Sequence, residues 1–358
     1  GSVIFLSHMA TFDAMAMSLV AVALWLTVRS AQQDSLLWAP IIGAVLALAF
    51  LTKYATAVYL PGIAVIGMLL TWNRIRWGAV RQALLMVLSA VSVSFFVLVF
   101  WAQDLVPGIV STTTNRTPIS PASASLLLTN AAMWIGVILI LAVFGAALQW
   151  RRWPLVLTLL VFSVIGPAQQ IRIGEETSLS KHVAFGMVFA APLAGYLLAW
   201  FIARSRWFGV PFAAAALSMQ LVLGWTQSQE FLTSWVDDTA VVEALREEIA
   251  VSPNKAILGE EPSAQRYALR GEVEPILWTD TFSLNYGNKN GMDAYREAID
   301  QSHFGTIYLS LNTDNGRAIN QYLTTGDTPY RLSNKVPFTR HGEFAGYYLI
   351  WTPKVLAR

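Results

Sequence analysis

The chain contains no cysteine, which excludes a disulfide framework, a thiolate metal centre and a cysteine nucleophile. Charge is the second scarcity: Asp, Glu, Lys and Arg make up 13% of the 358 residues, well below the share usual in a soluble domain. Acid is scarcest at the front. Up to Thr226 there are five Asp or Glu against twelve Lys or Arg, a net of +7. Residues 227–358 hold seventeen against twelve, a net of −5, and the two parts sum to the overall +2. The second part is mildly acidic and has no basic patch, so nucleic acid is not an expected partner. The start also lacks Met and a charged, signal-like segment. Gly1-Ser2-Val3 opens in mid-pattern, and we expect a further N-terminal part to precede it.

What is abundant is apolar surface: 55% of the residues are hydrophobic, fourteen are Trp, and the mean hydropathy is +0.50. This composition predicts a multi-pass α-helical membrane protein. Apolar runs lie at about 9–28, 37–53, 55–72, 82–101, 125–149, 153–171, 183–203 and 207–226, each near the ~20 residues that a spanning helix needs. The expectation is about eight transmembrane helices over residues 1–226, followed by a small α/β domain over 227–358. With Asp13 outside, alternation puts Arg29, Arg74, Arg76, Arg81, Arg151, Arg152, Arg204 and Arg206 inside. Lys53, Arg116, Arg172 and Lys181 are then left in the outer loops, as the positive-inside rule requires. The same alternation carries the C-terminal domain to the outer side.

Asp13 stands, with His8 close by, at the mouth of the first apolar run. A carboxylate there is a candidate functional group, because deeper burial of an isolated charge in lipid is expensive. It also suits a helix N-cap, and the two roles are compatible. Lys53 lies inside a long hydrophobic stretch that must turn nearby. An ammonium in that position needs an anion, either a lipid phosphate or a residue such as Asp13, unless it snorkels to the interface. Lys181 and His182 occupy the mouth of a later run as Asp13 does that of the first. Cations at a helix N-terminus oppose its dipole, and a bound phosphate would remove that penalty. Arg116, in Thr112-Thr113-Thr114-Asn115-Arg116-Thr117-Pro118, is a weaker candidate for phosphate or sugar oxygens. Glu175 and Glu176 read as solvated rather than as metal ligands.

After Thr226 the pattern alternates. Helical spacing over 239–249 and 293–299 and strands at 256–259, 306–310 and 346–351 predict a mixed sheet with covering helices. This part shows no phosphate-binding glycine loop, nucleophile elbow or metal-ligand cluster. Glu260-Glu261 and Trp278-Thr279-Asp280 could meet a substrate, but read better as surface residues.

Two stretches, Thr11-Phe12-Asp13-Ala14-Met15-Ala16-Met17-Ser18-Leu19 and Gly43-Ala44-Val45-Leu46-Ala47-Leu48-Ala49-Phe50-Leu51-Thr52-Lys53-Tyr54, resemble the paired signatures of the polyprenyl-phosphate-sugar glycosyltransferases. These are GT-C membrane enzymes related to protein O-mannosyltransferases and lipid A aminoarabinose transferases. Ser180-Lys181-His182, leading into Ala191-Pro192-Leu193-Ala194-Gly195-Tyr196, is also similar to a segment of that family. The resemblance implies transfer of a sugar from a polyprenyl-phosphate donor to a protein, lipid or glycan acceptor, at the outer face of a bacterial cytoplasmic membrane and among its lipids. It implies a carboxylate as general base, and cations, here Lys53, Lys181, His182, Arg116 and His8, on the departing phosphate. Family members also carry an acidic residue in a first outer loop, which this chain starts beyond. Asp13 matches their second acidic position, which in some members helps to bind a divalent metal ion or the acceptor. Two other classes remain open at this stage. A lipid or sugar transporter or flippase would place its charges near the bilayer midplane rather than at helix mouths. A non-catalytic cell-envelope assembly protein would leave Asp13 and Lys53 without a role.

Overall fold

The computed structural model describes residues 2–4, 12–33, 35–113, 122–233, 235–252 and 254–354. They form two compact units, Gly1–Glu230 and Phe231–Arg358.

The first unit is helical. Its elements are α1 (Phe12–Gln33), α2 (Trp38–Thr52), a 3-10 run Tyr54–Tyr59 leading into α3 (Leu60–Ile75), α4 (Trp77–Thr113), α5 (Ala124–Leu148), α6 (Trp153–Ile173), α7 (Leu179–Arg204) and α8 (Arg206–Thr233). Among the described residues seven stretches are long and apolar enough to cross a membrane. The eighth expected span, 37–53, is shorter: α2 has 15 residues. At 1.5 Å per residue it covers about 22 Å of a hydrocarbon core about 30 Å thick. It stops because Lys53 turns extended, with φ −154° and ψ 115°, and the 3-10 run takes over. α4 is interrupted at Trp101, whose φ of −125° and ψ of 24° leave the helical region.

Lipid-type solvation explains the outer surfaces. Leu88, Phe95 and Phe100 of α4 and Leu217 and Leu221 of α8 are exposed, which only an apolar surrounding makes favourable over so long a face. The interior joins Ala16, Val20 and Ala23 of α1 to Ile42 and Leu46 of α2, Ile63 and Ile66 of α3, and Phe185 and Phe189 of α7. Lipid supplies no hydrophobic drive between helices, so close backbone approach at small residues matters. Gly43 of α2 lies against the Met86 carbonyl of α4, Gly145 of α5 against the Leu193 carbonyl of α7, and Gly186 of α7 against the Ser163 carbonyl of α6. Gly145→Ala puts a methyl group into backbone that cannot swing aside. We expect a loss of roughly 1–3 kcal/mol, the usual cost of overpacking, read as an earlier thermal unfolding midpoint in detergent. An unchanged midpoint would contradict the α5–α7 contact.

The second unit is an α/β domain. A six-stranded mixed sheet has the order β1-β7-β8-β6-β2-β3, from β1 (Val236–Asp237), β2 (Ala256–Gly259), β3 (Trp278–Asp280), β6 (Phe304–Leu309), β7 (Tyr330–Arg340) and β8 (Glu343–Pro353). β2 runs parallel to β3 and β6, and the other pairs are antiparallel. A small ribbon pairs β4 (Asn285–Tyr286) with β5 (Lys289–Asn290). Alternate residues face opposite layers, as the period of a strand dictates. Ile257, Tyr308 and Ile350 pack with Val241, Leu245 and Ile249 of α9 (Thr239–Val251). Leu258, Ile307 and Trp351 pack with Tyr295 and Ile299 of α11 (Gly291–Asp300) and with Ile319 and Leu323 of α12 (Asp314–Thr325). A short helix, α10 (Ser263–Ala268), follows β2.

Glu260 is not a surface residue. It is 1% exposed, and its carboxylate accepts from the backbone N–H groups of Ser310, Leu311 and Thr313 at 2.8, 2.8 and 2.6 Å. Three such bonds fix the turn from β6 into α12, where Leu311 holds a left-handed φ of 64°.

Candidate active site

The site is assembled from the ends of three helices. Asp13 sits in the first turn of α1, where a negative charge suits the helix dipole, and is 4% exposed. Lys53 occupies the break between α2 and the 3-10 run. Its backbone carbonyl is held by the N–H and hydroxyl of Thr56 at 3.0 and 2.9 Å. Lys181 and His182 lie in the first turn of α7, where the His182 N–H reaches the Ser178 carbonyl at 3.1 Å.

Each carboxylate oxygen of Asp13 meets a different lysine. Lys53 Nζ donates to Asp13 Oδ1, and Lys181 Nζ lies 3.5 Å from Asp13 Oδ2. The carboxylate is buried, whereas about a quarter of each lysine side chain remains exposed. A pocket of about 700 Å³ opens beside them, lined by Phe12, Met15, Leu48, Leu51, Tyr54 and His182 together with Asp13 and Lys53. Beneath it Tyr59 stacks on Phe185 and Phe189, with ring centroids 5.5 and 5.3 Å away, which ties the 3-10 run to α7.

Four of the residues singled out in the sequence are therefore brought together: Asp13, Lys53, Lys181 and His182. His8 and Arg116 lie outside the described residues. Sequence reasoning missed the apolar wall. A signal was present, because Leu48, Leu51 and Thr52 follow the i, i+3, i+4 spacing of one helix face, and all three line the pocket.

The loop before α7 differs from expectation. Glu175 is fully buried and its carboxylate accepts from the Thr177 N–H at 2.9 Å. Glu176 is half-buried and accepts from the Asn130 amide of α5 at 2.9 Å. Neither is a solvated surface charge. They brace the turn that presents Lys181 and His182.

Chemically the site offers one carboxylate, two ammonium groups and an imidazole at the edge of an apolar cavity. A divalent cation does not fit this arrangement, since Asp13 already lies between two positive charges. Among the described residues no group of three or more His, Asp or Glu is gathered to hold a metal.

The sequence profile of the dolichyl-phosphate-mannose-protein mannosyltransferase family matches residues 2–101. The matched stretch contains Asp13 and Lys53 and ends at the Trp101 break; Lys181 and His182 lie beyond it and reach the site only through folding. No curated protein and no solved structure gives a significant match. The match covers α1 to α3 and α4 as far as Trp101, so this part of the chain is similar to that GT-C family, in a protein whose described residues include seven helices of membrane length.

Proposed function

We propose that the protein transfers a sugar from a polyprenyl-phosphate donor to an acceptor hydroxyl, with inversion, at the extracytoplasmic face of a bacterial cytoplasmic membrane. The observation that carries this reading is the double ion pair of Asp13 with Lys53 and Lys181 on the rim of an apolar pocket. The pocket wall suits the first isoprene units of a lipid tail, and the exposed parts of both lysines suit its phosphate.

Donor binding exchanges partners. As the phosphate enters, the two ammonium groups turn from Asp13 towards it, which leaves the carboxylate free of one or both counter-charges and more basic. The acceptor oxygen attacks the anomeric carbon, and the bond from that carbon to the phosphate oxygen breaks. The electron pair leaves on the phosphate, where Lys53 and Lys181 balance the growing charge. The acceptor's proton passes to Asp13 as general base. His182 borders the same pocket and holds a substrate oxygen.

The test uses the protein as encoded by its own gene, reconstituted in vesicles with labelled polyprenyl-phosphate hexose. Label should appear on acceptor, and free polyprenyl phosphate should accumulate, only when donor is available on the face that carries residues 227–358. Equal use of a nucleotide sugar in place of the lipid donor would overturn the reading.

A further inference from the structure

The β7–β8 hairpin runs on beyond the sheet that anchors it. β8 pairs with β6 through Leu349, Ile350 and Trp351, whereas its pairing with β7 continues to Arg340 and Glu343. From Lys335 to Tyr348 the hairpin is therefore a two-stranded ribbon, edged among the described residues by β1 at Thr339 and Arg340. One face is covered, since Val336, Phe338 and Tyr348 pack with Val241 and Leu245 of α9. Alternation puts Lys335, Pro337 and Tyr347 on the other face, where all three are exposed. Phe344 joins them: it is 62% exposed, and its ring meets that of Tyr347 edge-on with centroids 5.0 Å apart. Lys335 Nζ stands 4.0 Å from the centroid of the Tyr347 ring.

Two observations say what covers this apolar face. The first is its tether. The ribbon turns at His341-Gly342, whose φ values of 55° and 78° suit a two-residue hairpin turn, and this turn holds the end of α8. The His341 N–H donates to the Thr233 carbonyl at 3.2 Å, and His341 Nδ1 lies 3.0 Å from Thr233 Oγ1. α8 is long and apolar enough to cross a membrane, and its apolar run stops at Thr226, seven residues before Thr233. At 1.5 Å per residue that is about 10 Å, against an interfacial layer roughly 5–8 Å deep, so the turn is held within an aromatic side chain's reach of lipid headgroups. Trp235, two residues past the helix, is 59% exposed, and Trp and Tyr favour that boundary. The second observation is charge. The hairpin carries Arg331, Lys335 and Arg340 against Glu343 in an otherwise acidic domain, which suits the negative surface of a bilayer containing anionic lipid.

We propose that the uncovered face of the β7–β8 ribbon rests on the membrane surface around α8, with Phe344 and Tyr347 in the headgroup layer and Lys335 reaching lipid phosphates. The anchor works on whichever side of the membrane α8 ends, and it is independent of the identity of the sugar donor.

Because the chain has no cysteine, a single introduced one reports on its own position. A nitroxide attached to Phe344→Cys is followed in the full chain, in nanodiscs of phosphatidylethanolamine and phosphatidylglycerol. Its collisions with oxygen, relative to those with a water-soluble nickel chelate, should be severalfold more frequent than for a nitroxide on Gln321→Cys, an exposed residue of α12. Pro337→Cys, exposed on the same face as Phe344, repeats the measurement if Phe344→Cys fails to fold. Ratios at both ribbon positions equal to that at Gln321 would overturn the proposal. So would shielding of the ribbon labels from both reagents, which assigns the face to a glycan if added oligosaccharide brings the shielding on, or to a second copy of the chain if dilution removes it.

Discussion

Asp13→Asn lowers sugar transfer by about 10²-fold or more while the protein stays inserted and folded. Asn keeps the size of Asp and one acceptor oxygen for Lys53, so the apolar surroundings of α1 are undisturbed. It cannot take the acceptor's proton, and loss of a positioned general base typically costs ~10²–10⁴-fold. The variant also leaves Lys53 and Lys181 facing a neutral amide. Their exposed ends can turn to water, so the stability cost is smaller than for a wholly buried pair broken on one side. The diagnostic result is a fall in kcat with a near-native unfolding midpoint. Wild-type turnover in Asp13→Asn would reduce the residue to a structural counter-ion of the two lysines.

Lys53→Met and Lys181→Met each lower transfer, and Lys53→Met by more. Met keeps the apolar stem and removes only the ammonium, so the change isolates charge on the leaving phosphate. Loss of one preorganised group that stabilises developing negative charge costs about 10²–10³-fold in kcat. Lys53 bonds Asp13 directly, whereas Lys181 stands at 3.5 Å, which sets the order of the two effects. Because both lysines share one carboxylate, the double variant should lose less than the product of the single losses. Steady-state turnover against donor concentration checks this. If both single variants match wild type in kcat, the lysines merely snorkel and the phosphate is bound elsewhere.

The membrane helices were legible in the sequence because lipid leaves few choices. A helix solvated by hydrocarbon must be apolar on its exposed side and closed in its own hydrogen bonds, so length and hydropathy suffice to find it. The α2 segment ends where the sequence places a turn, at Lys53, but its 15 residues make it shorter than the seven membrane-length helices. In the second unit, β2 and the cores of α9 and α11 were legible from alternation and helical spacing. β7 and α12 were not. Tyr330–Arg340 exposes most of its residues and carries Pro337, and its strand geometry comes from a long pairing with β8 rather than from its own pattern.

The candidate site divides in the same way. The sequence by itself determined which groups are costly in lipid, namely Asp13, Lys53, Lys181 and His182, because a charge at a helix mouth stands out against apolar neighbours. Only the tertiary structure decided that these four meet, since the pairing of positions 40 and 168 residues apart depends on how α1, α2 and α7 pack. It also decided the opposite outcome for Glu175 and Glu260, which composition marks as surface charge and packing buries against backbone N–H groups. The physical reason is common to both: the desolvation cost of a charged group is fixed by its chemistry, but the partner that offsets that cost is fixed only by the fold.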